Sequence, residues 1–178
     1  MPVVEYTSLQ LISPYTLETE AVRDLLEGGC ARQAAHSTYP VYLFTNASDA
    51  SIIYLISGWT SVAQHLQYAG SEENRKAMGS FGDYLTIKGL GHPVIDVSAF
   101  PTDVAVVTVE KYAGDKGASE AVESNLPTAK WVGEGIDEET KGGYKISAFG
   151  PEDKDVVLSF GVGVNEIDVL ILVKAFRG

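Results

Sequence analysis

Two short stretches of this chain are almost the same. Residues 54–59 read Tyr-Leu-Ile-Ser-Gly-Trp and residues 144–149 read Tyr-Lys-Ile-Ser-Ala-Phe, so both follow the pattern Tyr-x-Ile-Ser-small-aromatic. Each stretch follows a polar turn and ends a run that is typical of a β-strand. Internal repetition constrains a fold strongly, because each copy predicts the same supersecondary unit. We therefore expect one unit that occurs twice, in a fused pair.

The first half of the chain predicts four strands and two helices. The strands, inferred from β-branched and apolar runs between turn residues, cover residues 3–12, 39–45, 51–57 and 93–100. Ser13 and Pro14 predict the start of the first helix, because serine is a good cap and proline suits the first turn. The glycines at 28–29 should end this helix, or residues 30–35 should extend it after a break.

The second helix of this half is predicted after the first repeated stretch. Thr60 or Ser61 should cap it, and Gly70 should end it. Residues 79–91 are rich in glycine and predict a loop that leads to the closing strand. The resulting order, β-α-β-β-α-β, is that of a ferredoxin-like unit.

The second half predicts the same order in a degenerate form. Its predicted strands cover residues 104–112, 130–137, 144–149 and 166–176. A helix is predicted over 116–124, and a compressed second helix over 151–160, where residues 156–158 could equally form a strand. Pro101 lies between the halves, so we expect two units, 1–101 and 102–178, that build an α+β fold with antiparallel sheets.

Composition excludes several classes of partner. The net charge is −11 and no cluster of Lys and Arg is present, so nucleic acid is not an expected partner. An anionic membrane surface would repel such a chain, and no apolar run reaches the roughly 20 residues of a membrane span. Cys30 is the single cysteine, which excludes an internal disulfide. With no secretory signal, a cytoplasmic protein is expected.

A motif at the end of the first repeated stretch resembles a known superfamily. Gly58, Trp59, Ser61 and His65 follow the Trp-x-Ser-x-x-x-His pattern found after the third strand in many proteins of the antibiotic-biosynthesis-monooxygenase type. These are dimeric α+β barrels, in which two ferredoxin-like units face each other through their sheets, usually in a homodimer. The resemblance covers residues 3–100 by pattern and the rest by strand order. It implies an intrachain dimeric α+β barrel.

The chemistry implied by the resemblance is diverse. The superfamily includes cofactor-free oxygenases of aromatic polyketides, polyketide cyclases, haem-degrading enzymes and chlorite dismutase relatives. The haem degraders use a histidine ligand near the position of Met78 here, and their catalytic tryptophan has no counterpart, so haem chemistry is disfavoured. The plant-type cyclases use a histidine and a tyrosine near the second helix, but His65, Tyr68 and Tyr84 do not match their register. We expect no metal and no organic cofactor.

Three histidines are candidates for a general base, because imidazole titrates near neutral pH. His65 should lie on the second helix, close to Tyr68, at the edge of the apolar stripe. His92 follows the glycine-rich loop, and His36 lies in a polar connector. A surface or loop role is the alternative for each. We take His65, Tyr68 and His92 as the catalytic candidates.

Aromatic residues of the first half are candidates for substrate binding. They are Trp59, Tyr42, Phe44, Phe81 and Tyr84. Alternation along the strand puts Tyr42 and Phe44 on one face, where they could line an apolar cavity or simply form an aromatic core. No basic residue is obviously positioned to lower the pKa of Cys30, so we expect a small buried thiol there.

Two functions are compatible with the sequence. The first is a cofactor-independent enzyme of secondary metabolism that oxygenates, or cyclises and dehydrates, an aromatic or polyketide-like small molecule. The alternative is a non-catalytic or stress-type barrel that binds a hydrophobic small molecule or has a filled interior. A weaker third reading is an assembly subunit, a homo-oligomer that associates through its sheet edges.

Overall fold

A computed structural model of the chain describes residues 1–114, 126–161 and 167–177. The strands are β1 (Val3–Leu11), β2 (Val41–Asn46), β3 (Ile52–Trp59), β4 (Leu85–Gly91), β5 (Val106–Ala113), β6 (Trp131–Ile136), β7 (Gly142–Phe149) and β8 (Ile167–Phe176). The helices are α1 (Glu20–Ser37), α2 (Val62–Ala69), α3 (Glu72–Ala77), α4 (Phe81–Tyr84) and α5 (Lys154–Gly161), the last preceded by a 3₁₀ turn at Pro151–Asp153. The predicted helix at 116–124 lies outside the described residues.

Eight strands of the described residues form one antiparallel sheet. Their order is β4-β1-β3-β2-β8-β5-β7-β6, so the first four strands and the last four have the same internal arrangement. β2 joins the halves by pairing with β8. The repeated stretches occupy β3 and β7, and their terminal aromatics have equivalent partners: Trp59 pairs with Val3, and Phe149 pairs with Val106.

The sheet has an outer face under the helices and an inner face away from them. On the outer face, one cluster packs beneath α1 and a smaller one beneath α5. The inner face carries a single large core to which both halves contribute, including Tyr6, Phe44, Val107 and Ile146. Apolar side chains therefore pack on both faces of the sheet, as expected for a sheet whose two faces both carry apolar residues that must be buried.

The predicted closing strand at 93–100 is wrong, because β4 forms that strand at Leu85–Gly91, inside the predicted glycine-rich loop. Gly91 is needed in β4 because a side chain there would collide with the Tyr144 hydroxyl. Residues 93–100 instead leave the sheet, and Ile95, Val97 and Phe100 enter the inner core. Gly58, the small residue of the first repeated stretch, gives Val97 the space to approach.

The start of this segment connects strands from the two halves. The Val4 amide donates to the Pro93 carbonyl at 3.0 Å, and the Val94 amide donates to the Ile136 carbonyl at 3.1 Å. Pro93 also forms a bridge with Asp137. The segment thus bonds to β1 on one side and to the end of β6 on the other.

The first helix begins later and ends later than predicted. It starts at Glu20, because residues 13–19 form turns in which Tyr15 packs edge-to-face on Tyr84 with ring centroids 4.8 Å apart. It continues past Gly28 and Gly29 to Ser37, since Val22, Leu26, Cys30 and Ala34 form one buried stripe across the glycines. No described helix is long and apolar enough to cross a membrane.

The second helix of the first half is capped by Ser61, one of the two predicted residues. The Gln64 amide donates to the Ser61 hydroxyl at 3.2 Å. Gly70 ends α2, and Ser71 caps α3 in the same way through the Asn74 amide. In the second half, residues 156–158 are helical rather than extended. Val157 points from α5 toward the sheet and packs on its outer face.

Candidate functional site

A cavity of about 210 Å³ lies on the outer face of the first half. Its walls come from β1, α1, α2, α3 and β4. Most of its lining is apolar, from Leu9, Leu25, Leu26, Cys30, Leu55, Met78, Phe81, Ile87 and Leu90. Polar side chains are few: Glu5, Thr7, Gln33, His65, Tyr68 and Asn74. A mostly apolar cavity with a few convergent polar groups is the usual form of a small-molecule site.

Glu5 is a buried carboxylate at the polar end of this cavity, with only 6% of its surface exposed. The Trp59 indole nitrogen donates to it at 3.0 Å, the Ser57 hydroxyl at 2.9 Å and the Thr7 hydroxyl at 2.9 Å. The Gln33 amide donates a further hydrogen bond. A buried charge is tolerated only when donors of this kind replace water, so the arrangement is built around a carboxylate.

His65 reaches from α2 to this carboxylate. Its Nε2 lies 3.5 Å from the Glu5 Oε2, and its ring packs on Trp59 with centroids 4.8 Å apart. Burial lowers the pKa of His65, the nearby Glu5 carboxylate raises it, and His92 lowers it further, for a net decrease. The imidazole is therefore largely neutral at pH 7 and can accept a proton.

His92 stands behind His65. Its Nε2 lies 2.7 Å from the His65 Nδ1, so a single proton is shared between the two rings, and the tautomer decides which ring donates. His92 is buried, and its backbone amide donates to Asp137 at 3.0 Å. The two catalytic histidine candidates thus form one hydrogen-bonded pair ending on Glu5.

Tyr68 lines the cavity one turn of α2 beyond His65. Its ring packs against His36 and Trp59, with centroids 4.8 Å and 5.6 Å away. Burial raises the pKa of Tyr68, although Arg32 opposes the shift. The phenol therefore keeps its proton at neutral pH and can donate a hydrogen bond to a ligand.

The other predicted site residues have different positions. Phe81 lines the cavity, and Trp59 lies beneath it as a donor to Glu5. Tyr84 packs on Tyr15 and is not in the cavity lining. Tyr42 and Phe44 point to the inner face, where Tyr42 contacts Phe100, so they belong to the aromatic core and not to this cavity.

Cys30 also lines the cavity, but it is a poor nucleophile. Burial, together with the charges of Glu5 and Glu27, raises the pKa of its thiol to about 12. The thiolate is the reactive form, so at neutral pH Cys30 contributes an apolar surface.

Five polar residues of this site escaped the sequence analysis: Glu5, Thr7, Gln33, Ser57 and Asn74. Glu5 gave a usable signal, because it is the single charge in the strand-like run that opens the chain. Strand alternation also puts it on the same face as Thr7 and Leu9. Gln33 lies on the buried stripe of α1 between Cys30 and Ala34, where a polar residue normally has a specific partner.

Comparisons with known proteins give information on the fold. No family model matches the sequence, and no curated protein matches it. A solved candidate monooxygenase from Fusobacterium nucleatum matches with a TM-score of 0.65 at 8% identity, over 99% of this chain and 94% of that one. An anthrone oxidase-like protein matches with a TM-score of 0.53 at 14% identity, over 98% and 93%. A candidate chlorite dismutase matches with a TM-score of 0.62 at 9% identity, over 97% and 95%.

These neighbours are dimeric α+β barrel proteins with ferredoxin-like units. The chain shares their fold. At such low identity the likeness extends to the backbone and to no individual residue.

Haem, which some relatives of this type degrade, does not fit the cavity. A volume of 210 Å³ is little more than the roughly 150 Å³ that holds one benzene ring in another protein. The described lining residues include no Lys or Arg that could pair with propionates. Among the described residues, no group of three or more His, Cys, Asp or Glu side chains is arranged to hold a metal ion.

Proposed function

We propose that this protein is a monooxygenase that acts on a small, largely apolar molecule without a metal or organic cofactor. The observation that carries the proposal is His65, a largely neutral imidazole at the polar end of an apolar cavity, with the Glu5 carboxylate 3.5 Å away. Such a base can remove a proton from an activated C–H or O–H group. The carboxylate then stabilises the imidazolium that forms.

The reaction balances with dioxygen as the only co-reactant. A methylene carbon beside an aromatic ring loses a proton to His65, and the carbanion adds to dioxygen. The resulting peroxide anion takes up a proton to become a hydroperoxide, which then loses water and leaves a carbonyl. One oxygen atom enters the product and the other leaves as water. The Tyr68 phenol can donate to the oxyanion that accompanies the carbanion.

The cavity limits the size of the substrate. Because about 210 Å³ is available and roughly 150 Å³ holds one benzene ring, one ring and part of a fused second ring fit, with any further ring at the mouth. The name of the anthrone oxidase-like neighbour supports a substrate of this class. Anthrone and smaller one- and two-ring analogues are the compounds to try first.

The experiment is oxygen uptake by the metal-free protein with these compounds, followed by mass spectrometry of the product made under ¹⁸O₂. One labelled atom should enter the product, and His65→Gln should abolish uptake while the protein stays folded. Gln67→Ala is the matched control, since Gln67 is an exposed residue of the same helix that does not line the cavity. Tight binding without oxygen uptake would favour the binding-protein alternative, and product cyclised without ¹⁸O would favour a cyclase.

We also propose that residues 1–101 and 102–178 are two fused units that close an intrachain barrel. The equal strand order in the two halves, the β2–β8 pairing and the bonds of residues 93–94 to both halves support this arrangement. Among the described residues, the lining of the cavity comes from the first unit alone, which supports one working unit and one supporting unit.

A further inference from the structure

A second cleft, of about 330 Å³, lies on the far side of the histidine pair. Ser61, Val94 and His92 line it together with the carboxylates Asp137, Glu138 and Glu139, and we call it the acidic cleft. It shares no lining residue with the substrate cavity. His65 belongs to the cavity and His92 to the acidic cleft, so the contact between their rings joins the two.

We propose that His92 is a proton-transfer residue that carries protons between His65 and the acidic cleft. This inference rests on the proposed function, because it takes His65 as the base. The geometry supports a direct transfer: the two ring nitrogens are 2.7 Å apart, and both rings are buried. A substrate that fills the cavity separates His65 from water on that side. A proton can then reach water only through the protein, and His92 provides that path.

The transfer balances in both directions. In the first state His65 carries its proton on Nδ1 and its Nε2 is free to accept one from the substrate. As Nε2 gains that proton, the Nδ1 proton moves to the His92 Nε2, and His92 releases its own Nδ1 proton into the acidic cleft. The second state has protons on both Nε2 atoms. Returning a proton to the peroxide reverses every step and restores the first state.

The charges around the pair favour this route. Glu5 faces His65 from β1. Asp137, Glu138 and Glu139 line the far end together with Met1, and the Tyr144 phenol from β7 interacts with Asp137. Burial raises the pKa of Asp137, but hydrogen bonds from the His92, Thr140 and Glu139 amides lower it more. Asp137 therefore stays anionic and stabilises a positive charge passing through His92.

The first test needs no substrate. In protein with ¹⁵N-labelled histidine, NMR should show a scalar coupling between the His65 Nδ1 and the His92 Nε2, because one proton is shared. Ala63→Trp, which fills the acidic cleft from an exposed position of α2, should slow exchange of that proton with water roughly tenfold or more. Absence of the coupling, or exchange that Ala63→Trp leaves unchanged, overturns the relay.

The second test uses turnover. His92→Ala should lower kcat by about ten- to a hundredfold, within the usual range of a general acid–base contribution, and added imidazole should restore much of it from the acidic cleft. Imidazole should not rescue His65→Gln in the same way. A His92→Ala protein that is fully active, or folded but not rescued, overturns the relay. A wild type with no oxygen uptake but with both NMR results would overturn the proposed function alone.

Discussion

Glu5 is the residue on which the site depends most. Four donors converge on it, and they come from β1, β3 and α1, so its carboxylate holds three elements in register. It also raises the pKa of His65 against the effect of burial. One side chain thus fixes the geometry of the base and adjusts its proton affinity.

Glu5→Gln should damage both roles. The new amide keeps one acceptor oxygen, so one of the two former oxygen positions presents an N–H group to its donors, which should destabilise the fold by about 1–3 kcal/mol. With the carboxylate gone, the pKa of His65 falls, so the acid limb of the kcat/KM profile should move to lower pH. Thermal melting and a pH–rate profile measure the two effects. An unchanged acid limb would contradict the role given to His65.

His65 should make the folded protein sensitive to mild acid. Burial, the leading cause, lowers its pKa in the folded state, so below about pH 6.5 the unfolded chain binds a proton that the folded chain resists. Stability is therefore complete above that pH and is lost as the pH falls. His65→Gln should flatten the decline of the melting temperature between pH 7 and pH 5. A His36→Gln sample controls for removing one histidine elsewhere.

At the scale of the element, α2 is the helix that presents the base. It has only eight residues, so its cap matters more than it would in a long helix. The Ser61 hydroxyl provides that cap, and the same residue lies at the wall of the acidic cleft.

Ser61→Ala should destabilise the protein by about 1 kcal/mol and should also lower kcat, because the first turn of α2 carries His65. Ser71→Ala removes the same kind of cap from α3, whose residues do not touch the histidine pair. The two variants should lose similar free energies of unfolding in urea, and the larger loss of kcat should occur in Ser61→Ala. Equal losses of kcat would show that the helix cap acts only on stability.

Elements with strong local signals were predictable from the sequence, and elements fixed by distant contacts were not. The hairpin of β2 and β3 and the Ser61 cap follow from turn and capping residues a few positions apart. β4 was missed because Gly89 and Gly91 normally indicate a loop, whereas here they make room for Ser8 and Tyr144. Residues 95 and 97 alternate like a strand because both side chains enter the inner core, with Phe100 three positions further on, but none of the three pairs with a described strand.

The site was predictable only where its residues are close together in the sequence. His65 and Tyr68 were identified from their spacing on one helix, and the link between His65 and His92 depends on a backbone path that the sequence does not reveal. Tyr42 and Phe44 were assigned to one face correctly, but the cavity formed on the other face. A strand pattern tells which residues share a face, and only the packing of α1 tells which face is open.

On the scale of the whole molecule, a polar cluster ties the halves together on the inner face. The Tyr6 and Tyr54 hydroxyls donate to Asp168 at 2.8 Å and 2.9 Å, and Lys111 lies 3.1 Å from the same carboxylate. The tyrosines come from the first half, and Asp168 and Lys111 come from the second. This cluster should therefore respond to any change that separates the halves.

The cluster predicts a loss of stability in alkali. Burial and the Asp168 charge raise the pKa of Tyr54 to about 12, and burial also raises the pKa of Tyr6 well above its usual value. The resulting stability is complete below about pH 10, where an unfolded tyrosine would ionise, and is lost as the pH rises toward 12. Melting temperatures should fall over this window, and less steeply in Tyr54→Phe. Parallel curves for the two proteins would contradict the assignment.

The intrachain barrel that we propose would need no second copy of the chain to be complete. Light scattering should therefore give a mass near 19.1 kDa for a folded protein, and the unfolding midpoint in urea should not depend on protein concentration. A midpoint that falls on dilution would instead indicate association through sheet edges.

The inner core and the cavity lie on opposite faces of the sheet, so they can be changed by substitutions at different residues. Along β1, Glu5 and Thr7 line the cavity, whereas Val4 and Tyr6 pack in the inner core on the opposite face. Adjacent residues therefore act on substrate binding and on core packing separately. Substitutions that improve packing on one side need not disturb specificity on the other. To obtain new substrates, one could first raise the free energy of unfolding by substitutions in the inner core. Side chains that line the cavity could then be varied while the protein stays folded.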